Sequence, residues 1–148
     1  MSGVKPIPDG YHSVQPYLMF KNCEHSIAFY RKAFGAKERL RIPKAGGGIG
    51  HAEVQIGDST VMMADEAPQM DAMSVEHFGG SPANLLIYTE DCDGMYKQAV
   101  EAGGISLREP ADQPYGDRIA GVKDPFGFKW WIATHIKDVP LEEMSAQS

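Results

Sequence analysis

The sequence predicts an α+β fold in which two βαβββ modules form mixed sheets that cup a hollow, and three observations lead to it. A short apolar run precedes an amphipathic helical stretch twice, Val14–Phe20 before Cys23–Phe34 and Asn84–Thr89 before Asp91–Ala102. Each helical stretch ends at glycine, Gly35 or Gly103-Gly104, and three strand-like runs follow it. The two helices with their glycines superimpose at an offset of about 68 or 69 residues, the mark of an internal repeat. One module alone would leave a sheet face and a helix face wet, so the two must pack into one domain. We bound them at residues 12–66 and 81–135, with a tail over 136–148, inside a single domain spanning 1–148.

The elements follow in order. Val14–Phe20 reads as an edge or early strand because Pro16 cannot donate to a ladder. In Cys23–Phe34, Ile27, Tyr30, Ala33 and Phe34 recur at helical spacing, with Glu24 in the first turn. Ala36–Pro43 is a strand, and Lys44–Gly48 is a flexible connection. Ile49–Ile56 alternates Ala52, Val54 and Ile56 with Glu53 and Gln55, and Gly57-Asp58 turns it tightly into Ser59–Ala64. Pro68–Gly80 has no regular period and reads as a linker or surface loop. The second module repeats the order with a helix at Asp91–Ala102 and strands at Ile105–Glu109, Arg118–Val122 and Phe128–Thr134. Its last two strands are joined by Asp124-Pro-Phe-Gly127, where Pro presets one turn dihedral and Gly relieves another.

Composition narrows the function classes. Twenty acidic against 14 basic side chains give a net charge of -6, and no Lys or Arg stripe is present to neutralise phosphates, which argues against nucleic acid. Met1–Gly10 carries Lys5, Pro6 and Pro8 and lacks an apolar stretch suited to a signal peptide or membrane span, so we expect a cytoplasmic protein with no membrane partner. Cys23 and Cys92 are too few for a disulfide framework and form no CxxC pair. Each precedes a helix, where a thiolate is favoured, but neither has a basic partner in sequence, and reduced thiols are expected.

Ser26–Tyr30 leading to Phe34-Gly35, His51-Ala-Glu53, Gly57-Asp-Ser59 and Asp124-Pro-Phe-Gly127 together resemble the vicinal oxygen chelate superfamily, the glyoxalase, bleomycin-resistance and dioxygenase group. The resemblance runs from Val14 to His135, and Tyr115-Gly-Asp-Arg118 with Trp130–His135 is most similar to its PhnB-like branch. Metal-dependent members draw His and Glu ligands from four strands. The resemblance puts Gln15, Met63, Asn84 and Trp131 at those places, with Met63 open to a slip of one residue. Amide, thioether and indole are poor ligands for zinc or a hard cation, so no metal and no cofactor are expected.

Several residues carry more than one reading. His51 and Glu53 share a strand face, as an acid/base pair, a metal pair or a structural hydrogen-bonded pair would. A tight turn at Gly57-Asp58 would aim Ala52 and Val54 with Met63 and turn His51 away, which leaves their face open. Trp130 and Trp131 must point to opposite sides, and we place Trp131 toward the hollow. With Tyr17 and Tyr88 it offers flat surface to a planar ligand, or else packs in the core. Arg118 beside Tyr115 either holds an anionic ligand or makes a salt bridge. His12, His25, His77 and His135 read as surface or packing residues.

The expected ligand pocket is thus Gln15, Tyr17, Met63, Asn84, Tyr88, Arg118 and Trp131, with His51 and Glu53 the candidates for catalysis. The function expected is metal-independent binding of a small, partly aromatic molecule between the two modules or between two chains. The alternative is a glyoxalase-like lyase or isomerase, or a dioxygenase. A homodimer is expected from the resemblance and from open sheet edges that need covering.

Overall fold

The structure, a computed structural model, describes residues 3–145; Met1, Ser2 and the last three residues of the expected tail lie outside the described residues. Two compact units part between Phe78 and Gly79, with Lys32–Phe34 grouped with the second. Each holds a four-stranded mixed sheet and a helix, so the α+β class and the repeated βαβββ order are both realised.

In the first unit the strands are β1 (Tyr17–Phe20), β2 (Lys37–Pro43), β3 (Ile49–Ile56) and β4 (Ser59–Asp65), and the helix is α1 (Cys23–Phe34). The sheet order is β1-β4-β3-β2, with β1 parallel to β4 and the other pairs antiparallel. β1 starts three residues later than its apolar run: Pro16 has no N–H to donate, and only its C=O joins β4, accepting from Met62 N–H at 2.9 Å. Leu18, Phe20, Ala52, Val54, Val61 and Met63 are buried on one face, and α1 covers that face with Ile27 and Tyr30. Phe20 meets Tyr30 edge-on, ring centroids 6.0 Å apart. Asn22 caps α1 by accepting from His25 N–H at 3.2 Å, and Gly35 closes it in the left-handed conformation.

The second unit repeats the plan with β5 (Asn84–Tyr88), α2 (Cys92–Glu101), β6 (Ile105–Asp112), β7 (Asp117–Lys123) and β8 (Lys129–His135), in the order β5-β8-β7-β6. Ala120, Val122, Trp130 and Ile132 form its buried face. A short helix, α3 (Leu141–Ser145), ends the described chain and was not foreseen from the sequence.

The repeat extends to individual hydrogen bonds. Cys23 N–H donates to Asp65 Oδ1 at 2.8 Å, and Cys92 N–H donates to Thr134 Oγ1 at 2.9 Å, each across 42 residues. In both units the end of the last strand therefore holds the first turn of the helix. The segment expected as a loose linker, Pro68–Gly80, is more ordered than its composition suggests. It contains 3₁₀ turns at Pro68–Met70 and Glu76–Phe78, buries Ser74 and Val75, and pins Val75 N–H to Met19 C=O at 3.0 Å.

Asp124 organises the β7–β8 turn. Its carboxylate is 2% exposed; Oδ1 accepts from the N–H groups of Phe126, Gly127 and Phe128 at 3.0, 2.8 and 2.9 Å, and Oδ2 from Trp130 Nε1 at 2.9 Å. The Asp-Pro-Phe-Gly run is thus a turn closed by its own buried acid.

Candidate functional site

The face of the first sheet turned away from α1 carries the chemistry. β3 pairs Ala52 with Met63 and Glu53 with Met62. Ala52 and Val54 do lie with Met63, as the tight turn requires, but that is the helix-covered side. Met63 is 0% exposed, its sulfur 3.8 Å from the Ser26 hydroxyl on α1. Met63 therefore belongs to the core, Met62 occupies the open face, and His51 and Glu53 stand on that open face with Gln15 and Tyr17.

On this face four side chains form a continuous line. The Tyr11 hydroxyl donates to Glu53 Oε1 in a short hydrogen bond, and Glu53 Oε2 lies 2.7 Å from His51 Nε2. An ionised carboxylate only accepts, so Nε2 carries the hydrogen shared with Glu53, and on the other side of the ring Nδ1 lies 2.7 Å from the Tyr17 hydroxyl. Glu53 is 5% exposed, whereas Tyr17 at the far end of the line is 48% exposed. Burial alone would push the Glu53 carboxyl up; hydrogen bonds from Tyr11 and His51 and the charges of His51 and Arg39 outweigh it and hold the group below its ordinary range. The same bond raises the Tyr11 phenol, and burial followed by the Glu53 charge raises that of Tyr17.

Over Glu53 runs the N-terminal segment, whose described residues, 3–16, form no helix or strand. Side chains fasten it to the sheet. Thr60 Oγ1 donates to Gly10 C=O at 3.0 Å, Arg39 Nη1 donates to Thr60 Oγ1 at 3.0 Å, and the Arg39 guanidinium lies 5.6 Å from the Tyr11 ring centroid. Between segment and sheet opens a cleft of about 510 Å³, lined by Pro6, Ile7, Pro8, Tyr11, His12, Ser13, Gln15, Glu53 and Met62. Gln15 also accepts from His12 N–H through its side-chain oxygen. Tyr11, Arg39 and Thr60 were not singled out in the sequence: Tyr11 lies in an irregular segment that carries no period to read, and Arg39 and Thr60 are single polar residues on β2 and β4.

In the second unit Asn84, Leu86 and Tyr88 alternate onto the face opposite the core, and Leu86 pairs with Trp131. Trp130 is 2% exposed and bonded to Asp124, whereas Trp131 lies on the other face against Gly121, where an added Cβ would come within 2.4 Å of its ring. Tyr88 donates to Asp117 Oδ2 at 2.8 Å, and His135 bridges Asp117 and Asp138 at 2.8 and 2.7 Å. Bonds to Asp138 and then Asp117 raise the His135 imidazole, and the bond to Asp117 raises the Tyr88 phenol.

Arg118 takes the salt-bridge alternative. Its Nε and Nη2 fork onto Asp93 at 2.6 and 2.9 Å and its Nη1 reaches Asp112 at 2.9 Å, which ties α2 and β6 to β7. Alternation along β7 places Arg118 with Ala120 and Val122 on the helix side, away from Trp131, so it does not join the expected pocket. The cysteines are buried and free, and burial pushes the Cys23 thiol up to about 12 and that of Cys92 up as well. Both are therefore thiols rather than reactive thiolates.

Comparison with known proteins agrees with this architecture. The family profile described as Glyoxalase/Bleomycin resistance protein/Dioxygenase superfamily matches residues 12–132. An uncharacterized protein of Mycobacterium bovis is 34% identical over 137 residues, covering 90% of each chain, and one of Mycobacterium tuberculosis is 34% identical over 137 residues, 90% of this chain and 81% of that one. Among solved structures, TioX from Micromonospora sp. ML1 superposes with a TM-score of 0.66 at 23% identity, over 84% of this chain and 100% of that one. The PhnB protein from Bacillus cereus gives 0.62 at 14% identity, over 83% and 99%. A glyoxalase/bleomycin resistance protein/dioxygenase family enzyme from Burkholderia phytofirmans gives 0.63 at 18%, over 81% and 95%. At such identities the structures speak for the fold alone; the profile and the mycobacterial relatives carry the kinship, and the chain belongs to the glyoxalase/bleomycin resistance protein/dioxygenase superfamily.

Proposed function

We propose that this protein binds a small, partly planar organic molecule and needs no metal to do so. The observation that carries the reading is the cleft of about 510 Å³ beneath the N-terminal segment. That volume suits a drug-sized ligand, and its mixture of apolar wall (Pro6, Ile7, Pro8, Met62) with a few polar groups (Gln15, Glu53) is what such sites use for affinity and orientation. The metal alternative fits the residues poorly. The places where metal-dependent relatives hold ligands carry Gln15, Met62 in place of Met63, Asn84 and Trp131, and among the described residues no three His, Cys, Asp or Glu side chains group as a cation would need. We therefore derive no step through a metal.

Protein dialysed against EDTA is expected to bind flat aromatic dyes saturably, with dissociation constants on the order of micromolar, followed by fluorescence titration. Binding that appears only after a divalent metal is restored would sink this reading. A second reading, a lyase, isomerase or dioxygenase, draws its support from the Tyr17–His51–Glu53 line, which has the parts of a proton relay. Stoichiometric zinc, nickel, iron or manganese held by pocket side chains in purified protein would favour it.

The same proposal includes a homodimer in the cytoplasm, with neither nucleic acid nor membrane as partner. It is supported by β2, an edge strand exposed along its whole length, and by Tyr17, Leu86 and Tyr88, which leave apolar surface uncovered. Among the described residues no helix is long and apolar enough to cross a membrane. Light scattering is expected to give twice the 16.2 kDa chain mass, and a monomer at micromolar concentration would remove the dimer from the proposal.

A further inference from the structure

We infer that the cleft selects cationic ligands: a flat aromatic body carrying one positive or strongly N–H-donating head, which Glu53 receives. The inference rests on the binding reading and specifies the chemistry of its ligand.

One carboxylate, Glu53, and the imidazole of His12 are the ionisable groups of the cleft lining besides the Tyr11 phenol, and no Lys or Arg is among the lining residues. Arg39 lies outside the lining, its guanidinium on the Tyr11 ring and bonded to Thr60, and its charge helps keep Glu53 ionised. Glu53 is nearly sealed from water and touches the cleft, where the low local dielectric strengthens its attraction for an incoming charge.

The carboxylate also has capacity to spare. It accepts one hydrogen from Tyr11 and one from His51, two of the roughly four acceptor positions that its oxygens offer. Those two donors fix its orientation, so a ligand head meets a preorganised acceptor and loses little to reordering. The rest of the lining is suited to the body rather than the head. Pro6, Ile7 and Pro8 make a stiff apolar wall, Met62 adds a polarisable thioether that favours aromatic rings, and the Tyr11 ring supplies a face whose quadrupole attracts cations. An anionic ligand of the same shape would face Glu53 with nothing in the lining to offset it except His12.

The test uses a matched set of probes at pH 8: thioflavin T, a flat cation; its uncharged benzothiazole counterpart lacking the ring N-methyl group; and the anion anilinonaphthalene sulfonate. The wild-type protein is expected to bind thioflavin T at least about tenfold more tightly than the uncharged counterpart, and the anion most weakly. In Glu53→Gln, which keeps the shape and an acceptor for Tyr11, the gap between cation and neutral probe is expected to close to about twofold. Equal or reversed affinities in the wild type would overturn the inference while leaving the binding reading in place, and this comparison needs no variant. A gap that persists in folded Glu53→Gln would equally remove Glu53 as its cause. If none of the three probes binds, the binding reading itself fails and the inference with it.

Discussion

Asp124→Ala is expected to lower the free energy of unfolding by about 3–5 kcal/mol, one of the largest losses any single side chain of this protein will give. The carboxylate is buried at 2% exposure and serves four donors at once: three consecutive backbone N–H groups of the turn and the indole of Trp130. Truncation strands all four in a place water does not reach, and each unsatisfied buried donor costs about 1–3 kcal/mol before the surroundings relax. The turn would also lose the group that holds Pro125–Gly127 in shape, although Asp124 N–H still donates to Phe128 C=O at 2.8 Å. Asp124→Asn keeps the volume and one acceptor oxygen but turns an amide toward one of the donors, so about half the loss is expected. Urea unfolding measures both, and the shift should appear in the midpoint with the slope unchanged. A change below about 1 kcal/mol for the alanine variant would mean that the turn is held by Pro125 and Gly127 alone.

Glu53→Ala is expected to cost about 2–4 kcal/mol and to release the N-terminal segment from the sheet. The reason is the line of four side chains. Without the carboxylate, Tyr11 loses the acceptor that anchors it, and His51 Nε2 loses its partner. Residues 3–16 form no strand, so what still ties the part around Tyr11 to the sheet is the Thr60 bond to Gly10 and the Arg39 contact with Tyr11, with the Met62 N–H bond to Pro16 C=O further along. Amide exchange in residues 9–13 should accelerate at least tenfold while α1 stays protected, an expectation in line with local opening being governed by few local bonds. Unchanged exchange there would show that Glu53 does not hold the segment.

The pH dependence of this latch has a definite sign. Glu53 is held below its ordinary value of 4.5 in the folded protein, so its contribution is fully present above that value and is lost as pH falls through the lower folded one. The segment should therefore loosen on acidification and not on raising the pH from neutral. Loosening between neutral and mildly alkaline pH would point to another group.

Much of the candidate site was within reach of the sequence. Cys23 with Asp65 and Cys92 with Thr134 place the two modules 69 residues apart, and the same interval carries Gln15 to Asn84 and Met62 to Trp131. Applied strictly, it names Met62 rather than Met63 as the counterpart of Trp131. The register agrees, since Tyr17 pairs with Met62 as Leu86 pairs with Trp131. Four consecutive apolar residues, Val61–Ala64, do not say which parity of β4 is buried. Because strand side chains alternate, a step of one residue moves the methionine from the open face to the core. Glu53 also shows where the modules have diverged. It pairs with Met62, whereas the residue paired with Trp131 is Gly121, whose missing side chain leaves room for the indole.

By itself, the order of residues determined the α+β class, the duplication, the placement of α1, α2 and most strands, and the pairing of His51 with Glu53 on one face. All of these are local or periodic properties, written in spacing and in turn chemistry. Only the tertiary structure decided that Tyr11 reaches Glu53 across 42 residues, that Arg118 is spent on Asp93 and Asp112, and that an irregular N-terminal segment forms the wall of a cleft. Such contacts join residues with no shared period. Their partners are chosen by where the folded sheets bring polar groups that must be satisfied, and a linear pattern carries no record of that choice.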